Sequence, residues 1–394
     1  MQIESIEIKN YRLFRDTKLQ NIPRLCVLVG ANGTGKSTLF DVFSFLKDAL
    51  AMNVGKAVSK RGGYKELASR GFADQPIELT LQFRLEITGY ERLVTYILRI
   101  EPDATGRAVV AREVLRYKRG ANGKPFHFLD FANGRGYAIT NEEDFSKVDE
   151  ALVREEQELD APDILAIKGL GQFERFKAAS AFRLMIENWH ISDFHVSDAR
   201  PSQEDGFAEH LSTRGENLPL VANFLFEHHR PAFDRILEAM RQRVPGVSLV
   251  EPRQTEDGRL VLRFQDGSFK DPFIARHVSD GTIKMFAYLV LLNDPKPYPL
   301  LAVEEPENQL YPELLPPLAE EFRDYARRGG QVFISTHSPD FLNALSLEEI
   351  FCLRKDGGFS TVRCAADSEN LRALFDAGDL PGYLWKQGLF EGVN

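Results

Sequence analysis

Eight consecutive residues, Gly30-Ala31-Asn32-Gly33-Thr34-Gly35-Lys36-Ser37, followed by Thr38, are spaced to cradle a phosphate chain. Glycines let the backbone wrap so that several N–H groups point at phosphate oxygens. Lys36 supplies a cation for the terminal phosphates, and the Ser37 hydroxyl is an oxygen donor suited to Mg2+. A second constellation is Glu304-Glu305-Pro306-Glu307, at the end of the apolar run 299–303. Two carboxylates at the tip of a buried strand are costly unless they meet a cation, and a nucleotide-bound Mg2+ is one. On this reading Glu304 supports Mg2+ through its water shell and Glu305 polarises an attacking water. Pro306 predicts an extended backbone at Glu305. A third, Val278-Ser279-Asp280-Gly281-Thr282, precedes an apolar helix. By itself this is an ordinary N-cap, and the same geometry also suits phosphate. The fourth is His337, which follows the apolar strand 331–336. A lone histidine at a strand end is commonly structural. Its place after a phosphate loop and an acidic strand end favours a functional role.

The elements needed to carry these residues can be read from periodicity. Residues 24–29 form a nearly continuous apolar run, as in a strand buried on both faces. A helical pattern follows over 37–50. Alternation at Ile3, Ile6 and Ile8 predicts a first strand over 2–9. From 77 to 131, β-patterned runs separated by TGY, DATG and RGANG turns predict an antiparallel meander. Residues 142–160 carry an acidic run, read as a solvated face. Helices are expected over 163–188, 217–243, 280–292 and 312–327, and strands over 299–304, 330–336 and 347–354. The expected class is α/β, with a split core. Its segments are 1–75 with the P-loop, an antiparallel β subdomain at 76–140, a mainly helical insertion at 141–245, and the rest of the core at 246–394.

Composition narrows the function classes. The chain has 394 residues, 43% hydrophobic and 27% charged, which fits a globular protein with ample core material. Its formal net charge of −9 argues against a general polyanion binder. Local basic groups, Lys60, Arg61, Lys65 and the cluster Arg116, Lys118, Arg119, Lys124, remain candidate phosphate contacts, with solvated surface the commoner outcome. Three scattered cysteines do not make a disulfide framework and suggest a reducing, cytoplasmic setting. The first residues carry no basic segment followed by an apolar run, and no apolar stretch reaches membrane-spanning length, so no membrane association is expected.

Taken in order, IEIKNYRLFRD, VGANGTGKST, VSDGT, VEEPENQLYP and ISTHSP resemble the ABC-type ATPase heads of the RecF/SMC/OLD group. They are most similar to compact stand-alone bacterial AAA-type ATPases of defence- or nuclease-associated operons. The tail LPGYLWKQGLFEG resembles the ends of such short members. The resemblance implies a P-loop NTPase fold of the ABC-type head and ATP with Mg2+ as cofactors. Gly30, Ala31, Asn32, Gly33, Thr34, Gly35, Lys36, Ser37 and Thr38 would bind the triphosphate. Ser279 and Gly281 would form the signature that closes over a second subunit's nucleotide. Glu304 would be the Walker B acid, with Ser37 the other metal contact, and Glu305 the catalytic base. His337 would be the switch histidine, and 308–311 the D-loop. The active form would be a head-to-tail homodimer, or a higher even-numbered assembly, around ATP. Tyr11, Arg12 or Phe14 would lie near the adenine.

The sequence departs from the pattern in places. Glu304 replaces the commoner Asp, Tyr311 stands where relatives often have His or Asp, and neither Gln75 nor Gln82 is a secure Q-loop residue. The interval 38–278 lacks sustained heptads, unlike long-armed SMC proteins. The residues after Ser338 are too few for a Toprim nuclease domain. The expected function is therefore an ATPase whose dimerisation switches a partner effector, a nuclease or toxin encoded nearby, in anti-phage defence. A RecF-like DNA-repair ATPase and an ATP-dependent scaffold with little turnover are the alternatives. A transporter motor fits the acidic signature and the large β insertion less well.

Overall fold

A computed structural model describes residues 2–118, 125–140 and 153–392. Basic residues Arg119 and Lys124, the 140/141 segment boundary and the acidic residues from Glu142 to Glu150 lie outside them. The chain divides into two compact units. The first comprises 1–189, 348–369 and 390–394, and the second 190–347 and 370–389.

In the first unit, β1 (Gln2–Tyr11) and β2 (Phe14–Gln20) form a hairpin, and β3 (Leu25–Val29) leads through the glycine-rich loop into α1 (Lys36–Ala51). Two short helices follow, α2 (Val54–Ser59) and α3 (Tyr64–Leu67). The meander is β4 (Ile77–Ile87), β5 (Tyr90–Pro102), β6 (Ala108–Tyr117), β7 (Phe126–Ala132), β8 (Arg135–Ile139) and β9 (Arg154–Glu158). Its sheet does not begin at residue 76. β1 pairs antiparallel with both β2 and β4, giving the order β2-β1-β4-β5-β6-β7-β8-β9. The pairing keeps the alternation in register: Ile77, Leu79, Leu81 and Phe83 of β4 and Ile6 and Ile8 of β1 are all buried.

The helix expected over 163–188 is two helices, α4 (Ala166–Leu170) and α5 (Lys177–Glu187). The GQFERF stretch between them interrupts the apolar periodicity. β10 (Trp189–Ser192) lies where the chain passes to the second unit.

The second unit continues with α6 (Val196–Ala199), β11 (Gln203–Glu204), α7 (Leu218–His228) and α8 (Arg230–Arg243). The single helical stretch expected over 217–243 breaks at His229. Pro231 in the first turn of α8 has no N–H to give the preceding turn. A small antiparallel sheet is built from β11, β12 (Val247–Gln254), β13 (Arg259–Asp266) and β14 (Phe273–Ile274). Next come α9 (Asp280–Leu292), β15 (Leu300–Glu304), α10 (Leu315–Arg327), β16 (Gln331–Ser335) and α11 (Pro339–Leu342). β15 and β16 pair in parallel, with Glu304 opposite Ser335. Four of the five β15 residues and all of β16 are buried, as parallel strands covered on both faces require.

The chain then returns to the first unit. β17 (Ile350–Asp356) pairs in parallel with β3, and β18 (Phe359–Cys364) pairs antiparallel with β17. Residues 347–349 form a single 3-10 turn before β17 rather than the start of the strand. The last helices are α12 (Glu369–Asp376) and α13 (Pro381–Lys386).

Candidate nucleotide site and its supporting residues

In the first unit, β3 is buried along its whole length and delivers the chain to the loop 30–35. Gly35 closes the loop at φ 102, in the left-handed region where a side chain is disfavoured. A Cβ there would also press on Ser360 Oγ at 3.0 Å and the Phe14 ring at 3.4 Å. As N-cap of α1, Gly35 offers no side chain to the first turn. The N–H groups of that turn and the helix dipole favour an anion. Lys36 is nearly buried, with its ammonium donating to the carbonyls of Gly30 at 2.7 Å and Ala31 at 3.2 Å. The Thr34 hydroxyl donates to Ala31 O at 2.8 Å. The loop is therefore tied to itself.

Residues expected near an adenine have other occupations. Tyr11 and Phe14 are fully buried. The Tyr11 hydroxyl donates to Asp41 at 2.8 Å, Phe14 lies behind Gly35, and Arg12 pairs with Asp41 at 3.1 Å. Arg61 is also withdrawn from the basic surface group. Its guanidinium is bound to Asp41 and to Asp48, each at 2.8 Å, while Lys60 meets Asp48 at 3.0 Å. Gln82 accepts from the Ser5 hydroxyl on the β1–β4 sheet, and Gln75 is an exposed loop residue.

The second unit holds the acidic and histidine residues. Ser279 is the N-cap of α9, as its sequence context predicts, accepting from Thr282 N at 3.2 Å. Asp280 pairs with Arg200, which also donates to Ala275 O. A cavity of about 680 Å3 is lined in part by Ser279, Gly281, Thr282, Gln309 and Tyr311.

Glu304 ends β15 and is exposed. Glu305 is not extended: its φ is 45, in the left-handed region. Its N–H continues the parallel ladder to Ser335 O at 2.9 Å, and its carbonyl accepts from Asn308 N at 3.2 Å. Closing that turn overrides the preference set by Pro306. A left-handed non-glycine residue costs roughly 1–2 kcal/mol, a kind of strain concentrated at functional sites. The Asn308 side chain donates to Glu305 Oε2 at 3.0 Å. His337 Nε2 lies 3.6 Å from Glu305 Oε1, beyond hydrogen-bond range.

Two residues of this cluster had no role in the sequence reading: Glu307, which stood in the acidic strand end without one, and Lys284. Glu307 Oε1 accepts from the Thr336 hydroxyl at 2.8 Å and from His337 N at 2.7 Å. Lys284 is almost fully buried in α9 and donates to Asn308 O at 2.7 Å. Burial pulls its pKa down to about 8, against the neighbouring charges of Glu307 and Glu305. A lysine inside the run IKMFAYLVLL was the one available signal.

No His, Cys, Asp or Glu group among the described residues forms a ready three-ligand metal cage. Ser37 in the first unit and Glu304 in the second each carry an oxygen of the hard type that Mg2+ takes. No described helix is long and apolar enough to cross a membrane.

An uncapped helix start after a buried strand, behind a glycine-rich loop with an inward lysine, defines a P-loop ATPase domain. Residues 25–343 match the family described as "AAA domain, putative AbiEii toxin, Type IV TA system", and the chain belongs to that family. No curated protein matches it. Among solved structures it is similar to an SMC head bound to the C-terminal winged-helix domain of ScpA. There the TM-score is 0.54 and identity 15%, over 92% of this chain and 98% of that one. It is also similar to an SMC head with an extended coiled coil, bound to the C-terminal domain of ScpA, from Pyrococcus furiosus. That match has TM-score 0.52 and 14% identity, covering 96% and 100% of the two chains. The fold is thus that of the SMC-type ATPase head.

Proposed function

We propose that the chain binds and hydrolyses ATP with Mg2+, and that ATP joins two copies head-to-tail to switch a partner protein. The observation that carries this reading is Glu305. It is held in a strained turn at the end of a buried strand, oriented by Asn308, with His337 at 3.6 Å. A carboxylate fixed this way is suited to accept a proton from water. Glycines 30, 33 and 35, Lys36 and the start of α1 would hold the phosphates, and Ser37 and Glu304 would face the cation. Bound Mg2+ would supply charge neutralisation of the phosphates. Ser279 and Gly281 line a cavity large enough for part of a ligand presented by a second copy.

The setting is analogy. The family description names a putative toxin of a toxin–antitoxin system, and the SMC heads were solved with a bound protein domain. The family description fits a defence setting, and the bound ScpA domains of the SMC heads fit a head that works with a partner protein; that the partner is a nuclease or toxin is our reading. DNA remains the alternative partner, and of the basic residues considered for it Arg61 is held by Asp41 and Asp48.

The test compares wild type, Lys36→Ala and Glu305→Gln. Wild type should release phosphate from ATP, and Lys36→Ala should not. Glu305→Gln should keep ATP and double in mass by light scattering only when ATP and Mg2+ are present. Wild-type turnover and unchanged mass in Glu305→Gln would refute the assignment.

A further inference from the structure

The loop 305–309 is bound on two sides within the second unit. On one side is α9. Lys284 donates to Asn308 O at 2.7 Å, and a Cβ added to Gly281 would lie 2.9 Å from Gln309 O, so backbone meets backbone there. On the other side is the segment after β16. Glu307 Oε1 takes both the Thr336 hydroxyl and the His337 N–H. Glu307 Oε2 is buried and has no hydrogen-bond partner among the described residues. A buried carboxylate oxygen without a donor is costly and calls for a reason. The Glu307 charge acts on Lys284, whose ammonium also lies 5.6 Å over the Tyr288 ring. Apolar side chains would fill this space at no loss of stability in many proteins.

We propose that Glu307 and Lys284 are positioning residues. Glu307 sets the backbone of His337, and Lys284 ties the Glu307 loop to the first turns of α9. Displacement of α9 would then move Asn308 and, through Glu307, the spacing between His337 and Glu305. The kinetic consequence rests on the ATPase reading, whereas the structural link does not.

The experiment has two readouts on the full-length chain. The first is histidine-selective NMR without nucleotide, with the His337 signal identified by its loss in His337→Gln. Glu307→Ala and Lys284→Met should both shift that signal. Glu307→Gln, which keeps the Oε1 acceptor, should leave it near its wild-type position. An unmoved His337 signal in Glu307→Ala or in Lys284→Met overturns the link. Should Glu307→Ala not fold, the near-isosteric Lys284→Met carries the same comparison.

The second readout is turnover. Misplacement of a catalytic group by about an ångström can cost roughly 100-fold. We expect kcat to fall about 10- to 100-fold in Glu307→Ala and Lys284→Met, with ATP affinity within about threefold of wild type. Glu307→Gln should recover most of it. Equal losses of affinity and kcat, with no rescue by Gln, would reduce both residues to packing. Wild-type turnover no higher than that of Lys36→Ala would refute the ATPase reading alone, and the His337 signal would still decide the link.

Discussion

Glu113 offers a quantitative test of how the first unit is held together. It lies on β6, is fully buried, and accepts hydrogen bonds from the Tyr96 hydroxyl at 3.1 Å and from the N–H groups of Ala166 and Ile167 at the start of α4. Burial pushes its pKa from 4.5 to about 7, and the three hydrogen bonds only partly oppose that rise. The folded value exceeds the unfolded one. Between pH 4.5 and about 7 the unfolded chain has therefore released a proton that the folded chain retains. The contribution is full below that window, falls as pH rises through it, and is lost above it. At about 1.4 kcal/mol per pH unit the loss is roughly 3 kcal/mol. Glu113→Gln carries no charge, but its one carbonyl oxygen replaces two accepting oxygens, so its NH2 group faces either the Ala166 N–H or the Tyr96 and Ile167 donors, a cost that does not vary with pH. Relative to wild type it should therefore gain stability between about pH 4 and pH 8, by up to about 3 kcal/mol. Urea unfolding followed by the emission of buried Trp189 measures the difference at each pH, and the other titrating groups cancel between the two proteins. A difference equal at both pH values would refute the account.

Other perturbations follow from the same contacts. Arg61→Met removes the buried guanidinium that binds both Asp41 and Asp48, which keep Arg12 and Lys60 as partners, and should cost about 1–3 kcal/mol in the same unfolding assay. Gly281→Ala forces Gln309 O away from a new Cβ only 2.9 Å distant. It should destabilise the second unit by about 1–3 kcal/mol, read by thermal melts. Lys36→Ala removes the cation aimed at the phosphates and should weaken ATP binding about 10- to 100-fold, measured with a fluorescent analogue.

Much of the local architecture was legible from residue pattern. β3, the loop 30–35 and α1 are contiguous, so glycine spacing and the switch from an apolar run to helical periodicity expose them together. Ser279 was legible as an N-cap for the same reason, since its partner is three residues away. The two helix breaks were less visible. Pro231 is an explicit signal, but apolar periodicity on both sides conceals the interruption at His229. The β1–β4 pairing needs strands some seventy residues apart, and alternation names the buried face without naming the neighbour.

The sequence by itself determined the phosphate loop, the acidic strand end and their order, because each is fixed by φ limits and hydrogen bonds among adjacent residues. Tertiary structure decided who meets whom. Glu305 is left-handed because its N–H joins Ser335 of another strand. Arg61 is a core cation and not a surface one because α1 presents Asp41 and Asp48 to it. Glu307 and Lys284 gained their role the same way, through partners 29 and 24 residues distant. A buried charge takes whichever partner the packed backbone brings within about 3 Å, and no local pattern encodes that choice.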